Sequence, residues 1–235
     1  LTSDRPKSLL ELENGITLLE SQLININKSG INKVIIVTGY HTEKIESKVE
    51  LYSEKYNIDI KIIYNPFFDI SNNLISLWQA RYEMTSDFII INGDDIFKES
   101  VLSGLLEHNK NETITMVIDR KKEYDLDDMK LIIENEKILK VSKKIPLGEA
   151  NGESIGMIRV TGEARNIMVD TMEEMVRNKN NIQVFYLEMI QELINKGILV
   201  GLYEISSKDW AEIDFHPDLE DIQKMISTFN KDWIN

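Results

Sequence analysis

The chain has 235 residues, 42% hydrophobic and 29% charged, with 40 Asp+Glu against 27 Lys+Arg and a net charge of −13. That apolar share can build a core, which excludes intrinsic disorder, and no apolar run approaches the roughly 18–20 residues that span a bilayer. The acid excess argues against nucleic acid as a partner, because counterion release needs clustered Lys and Arg, but an anionic small molecule needs only local positive charge.

The absence of Cys removes disulfides, thiolate metal sites and Cys nucleophiles together. At about 100–200 residues per domain, residues 1–235 are expected to form one domain, with halves at about 1–110 and 111–235. No signal peptide is visible, so the expected location is cytoplasmic. The opening LTSDRPKSLLEL lacks a Met and reads as the end of a loop, so a strand and its loop are expected ahead of Leu1.

Pro6 keeps Arg5 out of the helical region. Leu18, Leu19, Leu23 and Ile26 then follow helical spacing, and Lys28-Ser29-Gly30 closes that helix. Val34 to Val37 is a buried strand ending at Gly39-Tyr40. A charged amphipathic helix over 42–55 and a strand from Ile60 to Ile63 follow. The spacing predicts a helix from Ser71 to Met84, capped by Ser71 or Asn72. A third buried strand, Phe88 to Ile91, ends at Asn92-Gly93-Asp94-Asp95.

This alternation predicts an α/β fold, a mainly parallel central sheet with helices on both faces. Ligands in such sheets sit beyond the carboxyl ends of the strands, where Gly39, Asn65 and Gly93 fall. The second half is more irregular, α+β in character. Shorter strands are expected at 113–118, 129–134, 137–142 and 154–160, then helices at 163–177 and 184–196. A strand at 198–204 and a helix from about 218 close the chain. No linker or repeat separates the halves.

Asp94 and Asp95 on a strand-end loop could hold a hard cation such as Mg²⁺, or be solvated turn acids. Only one of them should face a site, since successive positions point apart. Trp210-Ala211-Glu212-Ile213-Asp214 offers a second acidic point beside an aromatic, or a loop packed by its Trp. Lys7 after a Pro, and Lys143-Lys144 before Ile145-Pro146, are candidate phosphate partners, though a lysine taken alone reads as solvated. Asn72-Asn73 could contact a base or ribose, or cap a helix. The histidines His41, His108 and His216 lack metal-ligand spacing. No Ser/His/Asp arrangement, P-loop or complete dinucleotide fingerprint is present.

Taken in order, LTSDRPKSLLEL, TLLESQLININKSGINKVIIVTGY, NPFFDISNNLISL, IINGDDIF, GESIGM and WAEIDFHPDL resemble the nucleotidyltransferases that activate phosphorylated small molecules with an NTP. The nearest branch looks like the bacterial phosphocholine, phosphonate and inositol-phosphate cytidylyltransferases, with a Rossmann-like fold akin to that of GT-A glycosyltransferases. The resemblance implies that Asp94 and Asp214 hold the catalytic Mg²⁺ and that Lys7, of a Pro-Lys motif, contacts the triphosphate. Lys143 falls where relatives keep a lysine near the acceptor phosphate, with Lys144 competing for that register. Gly39, Asn72, Asn73 and Gly93 would line the nucleotide, and Glu153, Tyr186 and Trp210 the acceptor's head group. The family's Gly-rich phosphate loop is expected just before Leu1.

The implied reaction is attack of a phosphate or phosphonate oxygen on the α-phosphorus of an NTP, CTP preferred, with pyrophosphate leaving. Such an oxyanion needs no general base, which fits the lack of a convincing catalytic His. Three alternatives stand beside it. One is a sugar-1-phosphate nucleotidyltransferase using UTP, dTTP or GTP. Another is a catalytically silent nucleotide-binding regulatory subunit of the same fold. The third is a glycosyltransferase, which would want an Asp-x-Asp motif that Gly93-Asp94-Asp95-Ile96 does not supply. The sequence leaves the oligomeric state open, a homodimer among the possibilities.

Overall fold

The computed structural model describes residues 4–12 and 15–213. A short 3₁₀ turn at Lys7–Leu9 leads to helix α1 (Leu18–Lys28), whose Thr17 hydroxyl accepts the Glu20 N–H as an N-cap. Strand β1 (Lys33–Thr38), helix α2 (Thr42–Tyr56) and strand β2 (Asp59–Tyr64) form a parallel crossover unit, with Val34 opposite Ile60 and Val37 opposite Ile63. Helix α3 (Asn73–Gln79) and strand β3 (Phe88–Ile91) complete the first half.

The predicted helix at 71–84 is shorter than its pattern. Asn72 caps it, and after Ala80 the chain tightens into a 3₁₀ turn at Arg81–Glu83. The Arg81 guanidinium lies 3.9 Å from the Trp78 ring centroid and bonds the Trp78 carbonyl, holding that tighter turn.

Two strands and a helix have no counterpart in the sequence reading. Strand β4 (Asp95–Phe97) and helix α4 (Glu99–Glu107) follow β3 directly. Strand β10 (Trp210–Glu212) pairs antiparallel with β4, placing Glu212 opposite Asp95. Between them come β5 (Ile114–Asp119), β6 (Lys130–Glu134), β7 (Lys137–Val141), β8 (Gly152–Val160), helices α5 (Ala164–Val176) and α6 (Tyr186–Asn195), and β9 (Gly201–Ile205). The helix expected from about 218 lies outside the described residues.

The main sheet runs β7-β6-β8-β5-β9, and β3 also pairs with β8. Strand β8 is antiparallel to β3, β5 and β6, while β5 and β9 are parallel. Hence β3, β5, β6 and β9 share one direction, and a reversed strand sits in their midst. Both ends of β8 are used on one edge: residues 157–160 pair with β3, and 152–153 with β6. Between those ends the β5–β8 register slips at Gly156, which takes φ +76°. This is a bulge in a strand shared by the two halves.

Period-two alternation sorts the side chains between two faces. Ile90, Met116, Ile158 and Val160 pack with α3, α5 and α6, whereas Ile91, Val117, Ile155 and Met157 pack with α4 and Trp210. Helices α1 and α2 close over β1 and β2 through Leu23, Ile45 and Tyr52. This is the expected sheet with helices on both faces. No helix among the described residues is long and apolar enough to cross a membrane.

Candidate active site

A cavity of about 1730 Å³ is lined along much of its length by apolar side chains of β1 and β3, and at their carboxyl ends by polar groups such as Lys7, Asn92 and Asp94. Among the described residues each of these strands pairs on one side alone, β1 with β2 and β3 with β8. Lys7, Gly39, Asn73, Gly93, Asp94, Lys143, Glu153 and Tyr186 all line this cleft. Eight sequence-predicted residues, spread over seven elements and loops, therefore border one cavity.

Lys7 and Asp94 meet at this polar end, with Nζ 3.5 Å from Oδ2 and both side chains about one-third exposed. Their neighbour Asp95 is buried, as expected if only one of the two acids faces the site. Burial pushes the Asp95 carboxyl well above its usual range, and the negative charges of Asp94, Glu212 and Glu153 push it further.

The loop carrying Asp94 is held from several sides. Gln22 Nε2 donates to the carbonyls of Asn92 and Asp95, at 2.9 and 2.7 Å. The Ile213 N–H bonds the Asp94 carbonyl, and the Asn92 N–H bonds that of Gly156. Across the cleft Gly39 has no room for a side chain, since a Cβ there would fall 2.3 Å from Phe68 Cβ.

Of the two neighbouring lysines, Lys143 borders the cavity. It lines the cleft with Nζ 4.8 Å from the Phe185 ring centroid, and Lys144 is exposed elsewhere. Glu153, at the β6 end of β8, is paired with Lys121, which also reaches Asp128 at 3.4 Å. The buried Lys130 ammonium bonds the carbonyls of Asp125, Leu126 and Asp128, fixing the loop that brings Asp127 and Asp128 to the wall. Burial lowers the Lys121 affinity for its proton, but the bond to Glu153 and the charges of Glu153 and Asp128 outweigh this and raise it.

Burial pushes Glu153 up to about 7, against the pull of Lys121. In the unfolded chain the same carboxyl protonates near 4.5. Between these values the folded state binds more protons, so this group makes stability rise as pH falls from about 8 to about 5. Glu153→Gln should flatten that stretch of the stability–pH profile, measured by denaturant titration at several pH values. Equal slopes in variant and wild type would place Glu153 in the ordinary carboxylate range.

Three predicted contacts are placed otherwise. Asn72 spends its side-chain oxygen on the Asn73 N–H as the α3 cap and is not part of the cleft wall. Trp210 is buried among core residues, and its indole N–H donates to Asp119 at 3.0 Å, so it presents no ring to the cleft. Tyr186 reaches the wall but is only 3% exposed, its hydroxyl directed at protein groups. His41 and His108 do not line the cleft either. His41 Nδ1 pairs with Glu43 at 3.0 Å, and His108 packs on Tyr203. Asp214 and His216 lie outside the described residues.

Lys121, Asp128, Gln22 and Asn92 are the cleft and support residues that spacing did not single out, while Glu212, which also lines the cavity, belongs to the acidic stretch named from the sequence. Among the described residues no group of three or more His, Asp or Glu is gathered to hold a metal. The Asp94 carboxylate at the polar end still suits a hard cation. Mg²⁺ keeps several waters and takes one or two protein carboxylates together with substrate phosphates.

The model of the nucleotidyl transferase family matches residues 1–126. A choline-phosphate cytidylyltransferase of Streptococcus pneumoniae is 28% identical over 98 residues, covering 42% of this chain and 40% of that protein. The chain thus spans well under two thirds of that relative's length. A choline-phosphate cytidylyltransferase of Haemophilus influenzae is 25% identical over 231 residues, 97% of this chain and 91% of the relative. The inositol-1-phosphate CTP transferase structure from T. maritima superimposes with a TM-score of 0.78 at 18% identity, covering 99% of this chain and 91% of that one. That last likeness concerns the fold.

Proposed function

We propose that this chain, which belongs to the nucleotidyl transferase family, moves a cytidylyl group from CTP to a small phosphorylated alcohol or a phosphonate. Phosphocholine and 2-aminoethylphosphonate are the leading acceptors. The observation that carries the reading is the ion pair past the end of β3: Lys7 and Asp94 stand 3.5 Å apart there, and Lys143 and Glu153 line the same cavity. One pair suits a triphosphate, the other an acceptor with an anionic end and a polar head. The cytidylyltransferase relatives favour CTP.

In this reading an acceptor oxygen attacks the α-phosphorus in line. The new P–O bond forms as the bond to the β-phosphate bridge breaks, and pyrophosphate leaves with that electron pair. The attacking oxygen is already ionised near neutral pH, so no side chain has to remove a proton. Lys7 neutralises triphosphate oxygens as a point charge. Lys143 draws the acceptor anion toward the nucleotide against their repulsion. Asp94, with Asp214 as its partner from outside the described residues, would hold Mg²⁺. The bound ion would offset the charge that develops on the phosphates. Positioning supplies the rest.

The test is pyrophosphate release from the protein with whatever segment precedes Leu1 in its gene included. CTP, UTP, dTTP, GTP and ATP are crossed with phosphocholine, 2-aminoethylphosphonate, inositol phosphate and glucose 1-phosphate, with and without Mg²⁺. Metal-dependent release with CTP and one of the first three acceptors is the expected result. Release with glucose 1-phosphate alone moves the chain to the sugar-phosphate branch. Nucleotide binding without release from any pair supports the silent subunit.

A further inference from the structure

The Tyr186 side chain is 3% exposed although its residue borders the cleft. Its hydroxyl oxygen lies 3.1 Å from Asn92 Oδ1 and 3.2 Å from the Gly156 carbonyl, so its proton is directed at one or shared by both. Burial pushes the Tyr186 hydroxyl strongly up, and the charges of Asp95 and Asp94 push the same way, which keeps it a donor. The backbone end of the residue is also tied, since the Tyr186 N–H bonds Asn73 Oδ1 at 2.8 Å. A continuous line of hydrogen bonds thus runs from the start of α3, through the first residue of α6, to Asn92, two positions before Asp94.

The fit at Asn92 leaves little slack. A Cβ on Gly156 would stand 2.1 Å from Asn92 Nδ2, so the amide lies flat against the bulge of β8. The Asn92 carbonyl is meanwhile taken by Gln22, and its N–H by Gly156. With its side-chain oxygen held by Tyr186, Asn92 is fixed at three points by three different elements.

We propose that Tyr186 is a positioning residue for Asp94: its hydroxyl fixes Asn92 against Gly156 and so sets where the Asp94 carboxylate stands in the cleft, with no contact to the acceptor. This rests on the reading of Asp94 as the metal-holding carboxylate. Partners of this kind behind a ligand typically govern about 10–100-fold in metal affinity or activity.

Tyr186→Phe keeps the ring and removes only the hydroxyl. Binding of Mn²⁺, followed by its electron spin resonance signal in the presence of CTP, should weaken by about 10–100-fold in the variant. The KM for the acceptor should stay at the wild-type value. Asn92→Ala should give a similar loss, and the double variant little more than either single one, since the two side chains act through one bond. Wild-type Mn²⁺ affinity with a raised acceptor KM would overturn the proposal and return Tyr186 to the head-group pocket. Fully additive losses would overturn it as well.

Amide hydrogen exchange at residues 93–95 separates this inference from the reading beneath it. Faster exchange there in Tyr186→Phe, with α5 and β5 unchanged, supports the brace even if wild-type protein binds no Mn²⁺ with CTP, which would count against the metal reading alone. Unchanged exchange at 93–95 would overturn the brace whatever the metal does.

Discussion

Asp94→Asn should lower pyrophosphate release by more than a hundredfold while leaving the melting temperature where it is. The substitution keeps shape and hydrogen-bonding capacity but deletes the charge that would hold the cation. Metal stabilisation of a transferring phosphoryl group contributes several kcal/mol, and about 3 kcal/mol already corresponds to a hundredfold. The fold does not depend on that charge. The carboxylate is partly exposed, its pairing with Lys7 is loose at 3.5 Å, and such surface changes stay within about 0.5 kcal/mol. Steady-state rates over a Mg²⁺ titration, beside a thermal melt, decide it. A rate within a few-fold of wild type would remove Asp94 from the metal site. Asp95→Asn is the informative companion, because that side chain is buried and is not part of the cleft wall, so the rate should stay near wild type.

The second large effect is expected at the bulge of β8. Gly156→Ala should destabilise by about 2–5 kcal/mol. The left-handed backbone costs a non-glycine residue roughly 1–2 kcal/mol, and forcing a methyl group onto the Asn92 amide about 1–3 kcal/mol more. At roughly 2–4 °C per kcal/mol for a chain of this size, the melting point should fall by about 4–20 °C. Gly162 provides the control, with φ +58° and nothing within 4 Å of a Cβ. Gly162→Ala should show the backbone part alone. Equal losses at the two positions would mean that Asn92 yields freely, and would weaken the case for a tightly held Asp94 loop.

Much of this arrangement can be read from local pattern. The apolar strands at 34–37 and 88–91, which are half-buried rather than buried as expected, the amphipathic helix after Gly39 and the paired acids past the third strand each follow from their own neighbours. What escaped depends on distant partners. Strands β4 and β10 are three residues each and exist because they pair with one another across most of the chain. Trp210 carries an aromatic suited to a ligand, yet its N–H is claimed by Asp119, which no local spacing announces. Tyr186 likewise offers a ring suited to a ligand, and its hydroxyl donates to Asn92, a partner 94 positions away. Lys121 sits in a run of charges, and only the fold reveals that one of them reaches a buried Glu153. Short-range periodicity reports which face is apolar. It is silent on which polar atoms are spoken for.

The shared strand also bears on how the protein comes to be folded. Among the described residues β3 pairs only with β8, at residues 157–160, so the strand that ends at the Asp94 loop gains its neighbour late in synthesis. A growing chain that has emerged only through residue 126, the stretch matched by the family model, has β3 but not the strand that covers its edge. Pairing over such a separation is slow to form, and an apolar edge left waiting is open to the wrong partner. The segment 1–126 thus lacks the partner that β3 has among the described residues. Expressed alone it should remain a client of chaperones, and it should recover only when a segment containing residues 152–160 is supplied.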